Sequence, residues 1–389
     1  MQTHEHVLSD ETLSRFAARC SGYDRDNRFF HEDFADLRAA GYLAISVPEA
    51  FGGKGLDLTQ LCREQRRLAY YAPATALGTH MHLLWVGVAA DLWRRGDKSL
   101  EWMLREAGNG EVFASGHAER GNDLPVLLST SQAEREPGGF RFSGHKMFGS
   151  LAPVWTRYGI HALWADAEGG PKIVHGFLPR DADGYRIVET WDTLGMRATR
   201  SDDVRLDGAF IPDKYIARIV PAGAVDDFLL GMYAWGDLGW ANIYCGMAKR
   251  AIDLAVSGAR SKTSLAVSRS MAHHPEIQHA VAQMALTYDP IIPHLEQVTK
   301  DWSAGIDHGV AWPARIVSAK HHAVEACWRI VDLAMEASGG GGMFKSNELE
   351  RLFRDARCGR FHPANAALVH EIVGKTTLGI DLGEQPRWG

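Results

Sequence analysis

The stretch Trp191-Asp192-Thr193-Leu194-Gly195-Met196-Arg197-Ala198-Thr199-Arg200-Ser201 decides the fold, together with the alternating run Asp203-Val204-Arg205-Leu206-Asp207 that it leads into. Alternation of apolar and polar residues is typical of a half-buried strand. Similar short runs occur at 139–144 and 158–164, and Gly, Pro and Asp separate them. The region from about 113 to 212 therefore predicts a compact β domain.

The regions on either side have the apolar spacing of helices. Apolar residues recur three and four positions apart over two stretches before the β region and three after it: 11–40, 58–104, 240–259, 275–300 and 312–337. The order is therefore helical, β, helical. We expect an N-terminal helical domain over residues 1–112, a central β domain over 113–224 and a C-terminal helical domain over 225–389.

The composition is that of a globular protein large enough for several domains. Its 389 residues are 46% hydrophobic and 23% charged, and the formal net charge is −6. This charge offers no basic surface for nucleic acid, and the apolar runs are shorter than the roughly 20 residues of a membrane-spanning helix. The segment Met1–His6 lacks the basic start and apolar centre of a signal peptide, so we expect a cytoplasmic protein with no nucleic-acid or membrane partner.

Neither the cysteines nor the paired histidines indicate a metal site or a disulfide framework. The five cysteines are odd in number and form no Cys-x-x-Cys pair: Cys20, Cys62, Cys245, Cys327 and Cys358. Adjacent histidines, as in His273-His274 and His321-His322, point their side chains apart on a helix. We therefore expect reduced cysteines that pack in the interior, and no bound metal.

Several motifs occur in the order found in the acyl-CoA dehydrogenase superfamily of flavoproteins, which the chain resembles over nearly its whole length. The motifs are 41–53 after the first long helix, 144–150 in a strand, 191–201 with its Gly-Met-Arg-x-Thr-x-Ser pattern, the glycine run 339–342, and Arg354-Asp355-Ala356. The resemblance implies an α+β multidomain fold with an N-terminal helical domain, a central β-barrel-like domain and a C-terminal four-helix bundle. It also implies assembly as a homotetramer.

The cofactor implied by the resemblance is a flavin held between the β domain and the C-terminal helices. FAD is the first expectation, and reduced FAD or FMN supplied by a reductase is the alternative. Ser150 matches the position whose hydroxyl meets flavin N5, and Phe148 matches the aromatic residue beside the ring. Without the resemblance, these are a strand serine and a core phenylalanine. Phe113 and Ser115 belong to the loop 113–123 that lines the flavin in the superfamily, although this loop is shorter here.

The remaining implied cofactor contacts lie in the C-terminal region. Gly340 and Gly341 expose amide N–H groups without a Cβ, which suits close approach to a phosphate. Arg260, with Lys262, resembles a basic pair that superfamily members offer to the FAD pyrophosphate of a neighbouring subunit, and Asn365 lies in the last motif. Taken alone, a glycine run is a loop and such a basic pair is a solvated helix end.

The expected reaction depends on the segment 354–365. A dehydrogenase of this fold needs a carboxylate to take the α-proton of an acyl thioester while hydride leaves for the flavin. The usual glutamate position of the superfamily is Pro363 here, and the alternative position on the first C-terminal helix is Gly236. Asp237 is adjacent and is only a weak substitute.

The pattern Arg354-Asp355-x-x-x-Gly359-Arg360-x-His362-x-Ala364-Asn365 is instead similar to that of two-component reduced-flavin monooxygenases. An imidazole with a reference pKa near 6.5 can accept a proton at neutral pH. We therefore predict His362 as the catalytic base, Ser150 as the catalytic residue at N5, and a monooxygenase acting on an aromatic or heteroatom small molecule. The chain has no nicotinamide fingerprint, so a separate flavin reductase is expected.

Two other hypotheses stay open. The first is an FAD-dependent acyl-CoA dehydrogenase with an unusual base, which would pass electrons to an electron-transfer flavoprotein. The second is a flavin-binding protein without catalysis, which the missing glutamate alone would permit. Substitution of His362 by alanine separates the two enzymes from the protein without catalysis. It would lower the turnover of either enzyme, and it would have little effect on any turnover of a protein without catalysis.

Three side chains are candidates for substrate contact. His82 and Trp85 lie in the run 78–85, on a helix that walls the substrate cavity in the superfamily, with His80 as the alternative to His82, and His117 lies in the loop that lines the flavin. We predict that these side chains face the substrate. Packing in the core or at the surface is the alternative for each histidine.

Overall fold

The computed structural model describes residues 6–124, 126–266 and 268–384, and its first part is helical. Five helices form this part: α1 (Asp10–Arg25), α2 (His31–Ala39), α3 (Leu58–Tyr71), α4 (Pro73–Arg94) and α5 (Glu101–Gly108). The side chains of Asp57 and Gln60 form a capping box that starts α3. Pro73 starts α4, where its fixed φ suits the first helical turn. Helix α4 is buried on nearly all sides and is therefore the central helix of this part.

A sheet of eight strands follows the helices. Its strands are β1 (Phe113–Ser115), β2 (Gln132–Glu136), β3 (Gly139–Gly149), β4 (Arg157–Trp164), β5 (Lys172–Pro179), β6 (Tyr185–Val188), β7 (Asp202–Pro212) and β8 (Ile216–Pro221). They pair in the order β6-β7-β3-β2-β4-β5-β8, and β1 runs parallel to β4. The path is open, because no pairing between β6 and β8 occurs in the described residues.

Six helices complete the described part of the chain. They are α6 (Asp227–Ser261), α7 (Pro275–Tyr288), α8 (Ile291–Ser303), α9 (Trp312–Ser338), α10 (Glu348–Cys358) and α11 (Ala366–Leu378), with the short ribbon β9 (Thr263–Ser264) and β10 (Arg269–Ser270) before α7. Helix α6 packs most extensively against α9 and also contacts α3 and α4. The first and last helical regions therefore share one apolar core.

The two most specific sequence motifs meet where the sheet region contacts α10. The backbone N–H of Met196 donates to Asp355 Oδ1 at 2.5 Å. A Cβ on Gly195 would lie 2.4 Å from the carbonyl oxygen of Arg354, so only glycine allows this approach. Arg354 bonds both oxygens of Asp24 in α1 and the Leu194 carbonyl. The loop before β7 is thus held by α1 and α10 together.

The order of helical, sheet and helical regions confirms the predicted fold class. Within the three described ranges, none of the helices combines the length and the apolar character needed to cross a membrane. The same ranges contain no group of three or more His, Cys, Asp or Glu side chains placed to hold a metal ion.

Candidate functional site

His362 lies between α10 and α11 and is held by two other helices. Its Nε2 is 2.9 Å from the hydroxyl of Tyr244, and its ring stacks on Trp240 with centroids 5.0 Å apart. Both of these residues are on α6. From α9, the ammonium of Lys320 donates to the carbonyl oxygens of His362 and Ala364, each at 2.9 Å. The segment 362–364 is therefore fixed from both sides.

Asp237 shares the face of α6 that contacts His362. It precedes Trp240 by three residues and Tyr244 by seven, which is the spacing of one helical face. Only 1% of its surface is exposed, and neither carboxylate oxygen makes a hydrogen bond of ordinary geometry in the described residues, although the Ala364 amide is near. Such a buried, unbonded carboxylate is rare in folded proteins and indicates a functional position.

The surroundings shift the proton affinities of this cluster in opposite directions. Burial raises the pKa of Asp237, while the Lys320 charge and the nearby Ala364 amide oppose the rise. Burial, together with a smaller contribution from the charge of Lys320, lowers the pKa of His362 to about 3. His362 is therefore neutral near pH 7 and only weakly basic, and this environment gives no support to its predicted role as the catalytic base. Asp237 has the better-matched proton affinity.

His80, rather than His82, is the histidine of α4 that belongs to this cluster. Its Nε2 is 3.0 Å from the Trp235 carbonyl oxygen, and its ring meets Trp240 edge-on at 6.4 Å. Its Nδ1 is buried and finds no hydrogen-bond partner among the described residues. Gly239 makes the contact possible, because a Cβ there would lie 2.0 Å from the His80 ring. Helices α4 and α6 thus bring His80 and Asp237 to the same region.

The predicted substrate contacts of His82 and Trp85 have no support in this structure. Both ring nitrogens of His82 are used inside the protein, one facing the Leu43 carbonyl at 2.8 Å and one accepting from the Phe113 N–H at 3.1 Å. The Trp85 indole donates to the Ala114 carbonyl at 3.0 Å, and both side chains are buried. They tie α4 to β1 and have no surface for a substrate.

The side chains of β1 and the loop after it are also more buried than predicted. Phe113 is fully buried and packs edge-on against Phe177, so the predicted cofactor contact of its side chain has no support in this structure. Ser115 is half-buried, and its hydroxyl is 3.1 Å from His117 Nδ1. His117 is nearly buried and stacks on His161 at 4.9 Å. A substrate contact by His117 therefore has no support in this conformation.

A buried ion pair lies beneath this loop and was not predicted. The Lys146 ammonium is 2.5 Å from Glu119 Oε1, and both side chains are buried. Burial alone would raise the pKa of Glu119, but the Lys146 charge and the Ser131 and Thr130 donors lower it to about 2. The ring of His161 is held beside this pair by its bond to the Leu128 carbonyl. These contacts fix the loop that leads to β3.

Ser150 stands just after β3 at the end of a chain of buried hydroxyls. Its Oγ is 2.7 Å from Ser201 Oγ, which is 2.7 Å from Thr199 Oγ1. Phe148, two residues earlier, is 54% exposed and has a φ of 58°, in the left-handed region. An exposed aromatic ring beside a polar chain end suits a flat heterocycle. No hydrogen bond joins Ser150 to His362 in the described residues.

The other predicted cofactor residues form two groups at the ends of helices. Gly340 and Gly341 are exposed, and a Cβ added to either would have no atom within 4 Å. The nearby Ser338 carbonyl accepts from Lys262 at 3.0 Å, and Arg260 is exposed in the last turn of α6. The glycine run and the basic pair therefore meet on one surface. Asn365 lies elsewhere, as the N-cap of α11, where its side chain accepts from the Leu368 N–H.

An open pocket adjoins the His362 cluster. Its volume is about 400 Å³, and Lys320 and Ala364 contribute to both the pocket and the cluster. Charged and polar side chains of α9 and the following segments line much of the rest: His321, Glu325, Arg360 and His370. The cluster is therefore within reach of a solvent-exposed cavity.

Sequence reasoning missed Lys320, Tyr244 and Ser201 and undervalued Asp237. A usable signal was present for two of them. Lys320 interrupts the buried face of α9 formed by residues such as Ile316 and Val324, and Asp237 interrupts the almost entirely apolar α6. A charged residue on an apolar helical face is seldom accidental. The hydroxyl chain had no such signal, because Ser150 is 51 residues from Ser201 in sequence and the two meet only after folding.

Comparison with known proteins agrees with this architecture. The family model described as "Acyl-CoA dehydrogenase, N-terminal domain" matches residues 3–98, and that described as "Acyl-CoA dehydrogenase, C-terminal domain" matches residues 238–366. The putative acyl-CoA dehydrogenase YdbM of Bacillus subtilis is 27% identical over 90% of this chain and 91% of that protein. L-Evernosamine nitrososynthase of Micromonospora sp. is 26% identical over 95% of this chain and 88% of that protein.

A solved structure aligns over nearly the whole chain. It is that of KijD3 in complex with FMN and dTDP-3-amino-2,3,6-trideoxy-4-keto-3-methyl-D-glucose, and it matches with a TM-score of 0.84 and 25% identity over 96% of this chain and 93% of that one. The two family models, the relatives and this structure all point to one superfamily. The chain belongs to the acyl-CoA dehydrogenase superfamily of flavin-dependent oxidoreductases.

Proposed function

We propose that the chain is a reduced-flavin-dependent monooxygenase that oxygenates the nitrogen of a small amine, with Asp237 as the group that takes the amine proton. The observation that carries the proposal is the Asp237 carboxylate, which is buried without an ordinary hydrogen bond in the described residues and lies on the same helical face as the His362 contacts. The names of two similar proteins, a nitrososynthase and KijD3 with an amino-sugar nucleotide, support an amine.

The residues present fit a flavin. Phe148 offers an exposed ring, Ser150 ends a polar hydroxyl chain beside it, and Gly340 and Gly341 leave open space next to Arg260. We propose Phe148 and Ser150 at the ring, with Ser150 at N5, and the glycine run and Arg260 at the phosphates. Ser115 and Asn365 remain proposed cofactor contacts. When bound in its reduced form, the flavin supplies the electrons with which oxygen becomes an electrophile.

The charge arrangement suits an amine. A primary amine is protonated near pH 7 and has no free electron pair in that form, so its proton must leave before the nitrogen can accept oxygen. A carboxylate attracts the ammonium ion, and an elevated pKa lets it keep the proton afterwards. His362 then serves as a neutral positioning residue, fixed by Tyr244 and Lys320.

The same carboxylate favours a second candidate, an acyl-thioester dehydrogenase. Asp237 is adjacent to the alternative base position at Gly236, and YdbM is among the similar proteins. In that reaction Asp237 would take the α-proton of the thioester. The two candidates share the residue but differ in substrate charge, cofactor oxidation state and the need for oxygen.

One experiment separates them. The purified protein is incubated aerobically with a general flavin reductase, FMN or FAD, NADH and a panel of primary amines, including amino sugars, and products are analysed by mass spectrometry for added oxygen. In parallel, the FAD-loaded protein is mixed anaerobically with acyl-CoA esters and its absorbance is followed. Oxygenated amine supports the monooxygenase, whereas bleaching by an acyl-CoA without amine oxidation would overturn it in favour of the dehydrogenase.

Asp237→Asn is the matched variant for this assay. Loss of a general base typically lowers turnover by about 10²-fold or more, while the amide preserves the side-chain shape. Asp332→Asn, at an exposed position on α9, is the control and should retain wild-type turnover. Equal activity of wild type and Asp237→Asn would remove Asp237 from the mechanism.

We also propose that the chain acts in the cytoplasm as a homotetramer and receives reduced flavin from a separate reductase. Exposed apolar side chains next to the glycine run support the association of subunits, since Leu265 is 98%, Met343 73% and Phe344 67% exposed. Light scattering after size-exclusion chromatography tests the assembly, and a tetramer is the expected result.

A further inference from the structure

Three buried hydroxyls form a chain that ends at Ser150. Thr199 Oγ1 donates to the Met196 carbonyl oxygen at 2.9 Å, and the oxygen pairs Thr199–Ser201 and Ser201–Ser150 are each 2.7 Å apart. Thr199 is fully buried, and Ser201 and Ser150 are 3% and 8% exposed. All contacts are of normal hydrogen-bond length.

The hydrogen bonds along these three hydroxyls can run in one direction only. Each hydroxyl has a single hydrogen, and a carbonyl oxygen can only accept. The Thr199 hydrogen is committed to Met196, because two oxygens 2.9 Å apart with no hydrogen between them would repel. Ser201 must then donate to Thr199, and Ser150 must donate to Ser201. The outward side of Ser150 is left with lone pairs and no hydrogen.

The start of the chain is firmly anchored. The Met196 N–H is bound by Asp355 of α10, and its carbonyl oxygen also accepts from the Trp191 indole at 3.2 Å and from the Thr199 N–H at 3.1 Å. The backbone of Met196 is therefore held on both sides, and its carbonyl cannot turn away from Thr199. The direction of the chain is fixed by the fold and does not depend on what binds.

We infer that Thr199 and Ser201 hold Ser150 as an obligate hydrogen-bond acceptor, so that the site selects reduced over oxidised flavin. This inference rests on the proposed function, in which Ser150 faces N5. Reduced flavin carries a hydrogen on N5 and can donate to Ser150, whereas N5 of oxidised flavin has a lone pair that meets the lone pairs of Ser150. Thr199 and Ser201 are positioning residues, because they act through Ser150.

Thr199→Val tests the inference by removing the hydroxyl that sets the direction, while Thr199→Ser keeps it. Without that acceptor, Ser201 can turn and donate to Ser150, which frees the Ser150 hydrogen to point at N5. The full-length protein is titrated anaerobically with reduced FMN and separately with oxidised FMN, and the ratio of the two dissociation constants is measured for each variant. We expect Thr199→Val to lower the preference for reduced FMN by on the order of tenfold, because one neutral hydrogen bond is lost and another gained.

The midpoint potential of the bound flavin is an independent readout. For a two-electron couple a tenfold change in relative affinity corresponds to about 30 mV, so the potential in Thr199→Val should fall by about that amount relative to Thr199→Ser. Thermal unfolding controls for folding, and Ser201→Ala, which removes the acceptor of Ser150, is the second variant. It should lower the preference in the same direction.

The outcomes are distinguishable from failure of the proposed function. If both variants fold and keep the wild-type affinity ratio and potential, the inference is overturned even where wild type oxygenates amines. If wild type binds neither form of FMN or FAD, the proposed function itself fails. A reduced-flavin preference that drops in Thr199→Val and Ser201→Ala but not in Thr199→Ser establishes the hydroxyl chain as its cause.

Discussion

One buried residue, Lys320, shifts the pKa values of two neighbouring side chains. Its ammonium donates to two backbone carbonyls, only 2% of the residue is exposed, and its charge lowers the pKa of both Asp237 and His362. It favours the ionised form of the carboxylate and the neutral form of the imidazole. In the proposed function, this single cation favours Asp237 over His362 as the acceptor of the proton.

Removal of this charge should move the pH dependence of turnover. Activity requires ionised Asp237 and therefore rises with pH through the pKa of that carboxyl. The attraction of Lys320 lowers this pKa against the effect of burial, so Lys320→Met should shift the rising limb of kcat/KM to higher pH, and Lys320→Arg should shift it less. Two other ionisable interactions belong to the same region: the charge of Asp237 acts on Tyr233 of α6, and His80 of α4 acts on His362.

The measurement is a pH–rate profile of the wild type and the two variants over the range in which all remain folded. An unchanged limb in Lys320→Met would show that Asp237 is not the titrating group. If activity also fell at all pH values, Lys320 would act on turnover through structure and not through the charge of Asp237.

At the scale of elements, glycines on α6 determine how closely other helices approach. Gly239 lets the His80 ring of α4 touch the α6 backbone, whereas a Cβ on Gly258 of the same helix would have no atom within 4 Å. Gly239→Ala should destabilise the protein by about 1–3 kcal/mol through overpacking. Gly258→Ala should instead stabilise it by up to about 1 kcal/mol, because alanine is the better helix former.

Urea unfolding measures the stability of both variants, and Gly258→Ala is the control because it lies on the same helix as Gly239. Equal effects at the two positions would contradict the close contact of α4 and α6. Gly239→Ala should also reduce turnover, since displacement of His80 moves the cluster around Trp240, while Gly258→Ala should not.

The order of helices and strands followed from local patterns, because helical spacing and strand alternation lie within one segment. The surroundings of the predicted site residues depend instead on contacts between elements. His82 and Trp85 were assigned to the substrate from the run 78–85, but the side of the helix that each occupies depends on Leu43 and Ala114, which are distant in sequence. The proton affinity of His362 likewise depends on Lys320 from another helix.

At the scale of the whole molecule, buried neutral histidines in several parts of the fold make the free energy of unfolding sensitive to acid. Burial lowers the pKa of eight histidines. The pKa falls to about 4 for His80 and His82, to about 3 for His175 and His362, and well below the ordinary value for His117 and His161, and it is also lowered for the partly buried His294 and His321. Each depressed pKa contributes stability above the unfolded value near 6.5, which is lost as the pH falls towards the folded value. Three aspartates have raised pKa values, which favour the folded state as the pH falls and so partly offset the loss of stability from the histidines: Asp33, Asp237 and Asp355.

We therefore expect the free energy of unfolding to fall steeply between about pH 6.5 and pH 5, by about 1.4 kcal/mol per pH unit for each net proton taken up on unfolding. Urea unfolding at about pH 8, 6.5 and 5 measures it. His175→Phe should reduce the slope, because neither ring nitrogen of His175 has a partner among the described residues and the substitution removes one titrating group. A stability independent of pH over this range would contradict the neutral state of these histidines.

The contact between Met196 and Asp355 limits how the molecule can be recombined. The N–H of one residue, Met196, is bound by the C-terminal part of the chain, and its carbonyl starts the hydroxyl chain in the sheet region. A chimera that imports the sheet region of a homologue while keeping the native α10 would therefore set the imported loop against an α10 from a different protein. Grafting for a new substrate should carry the α10 segment along with the sheet region.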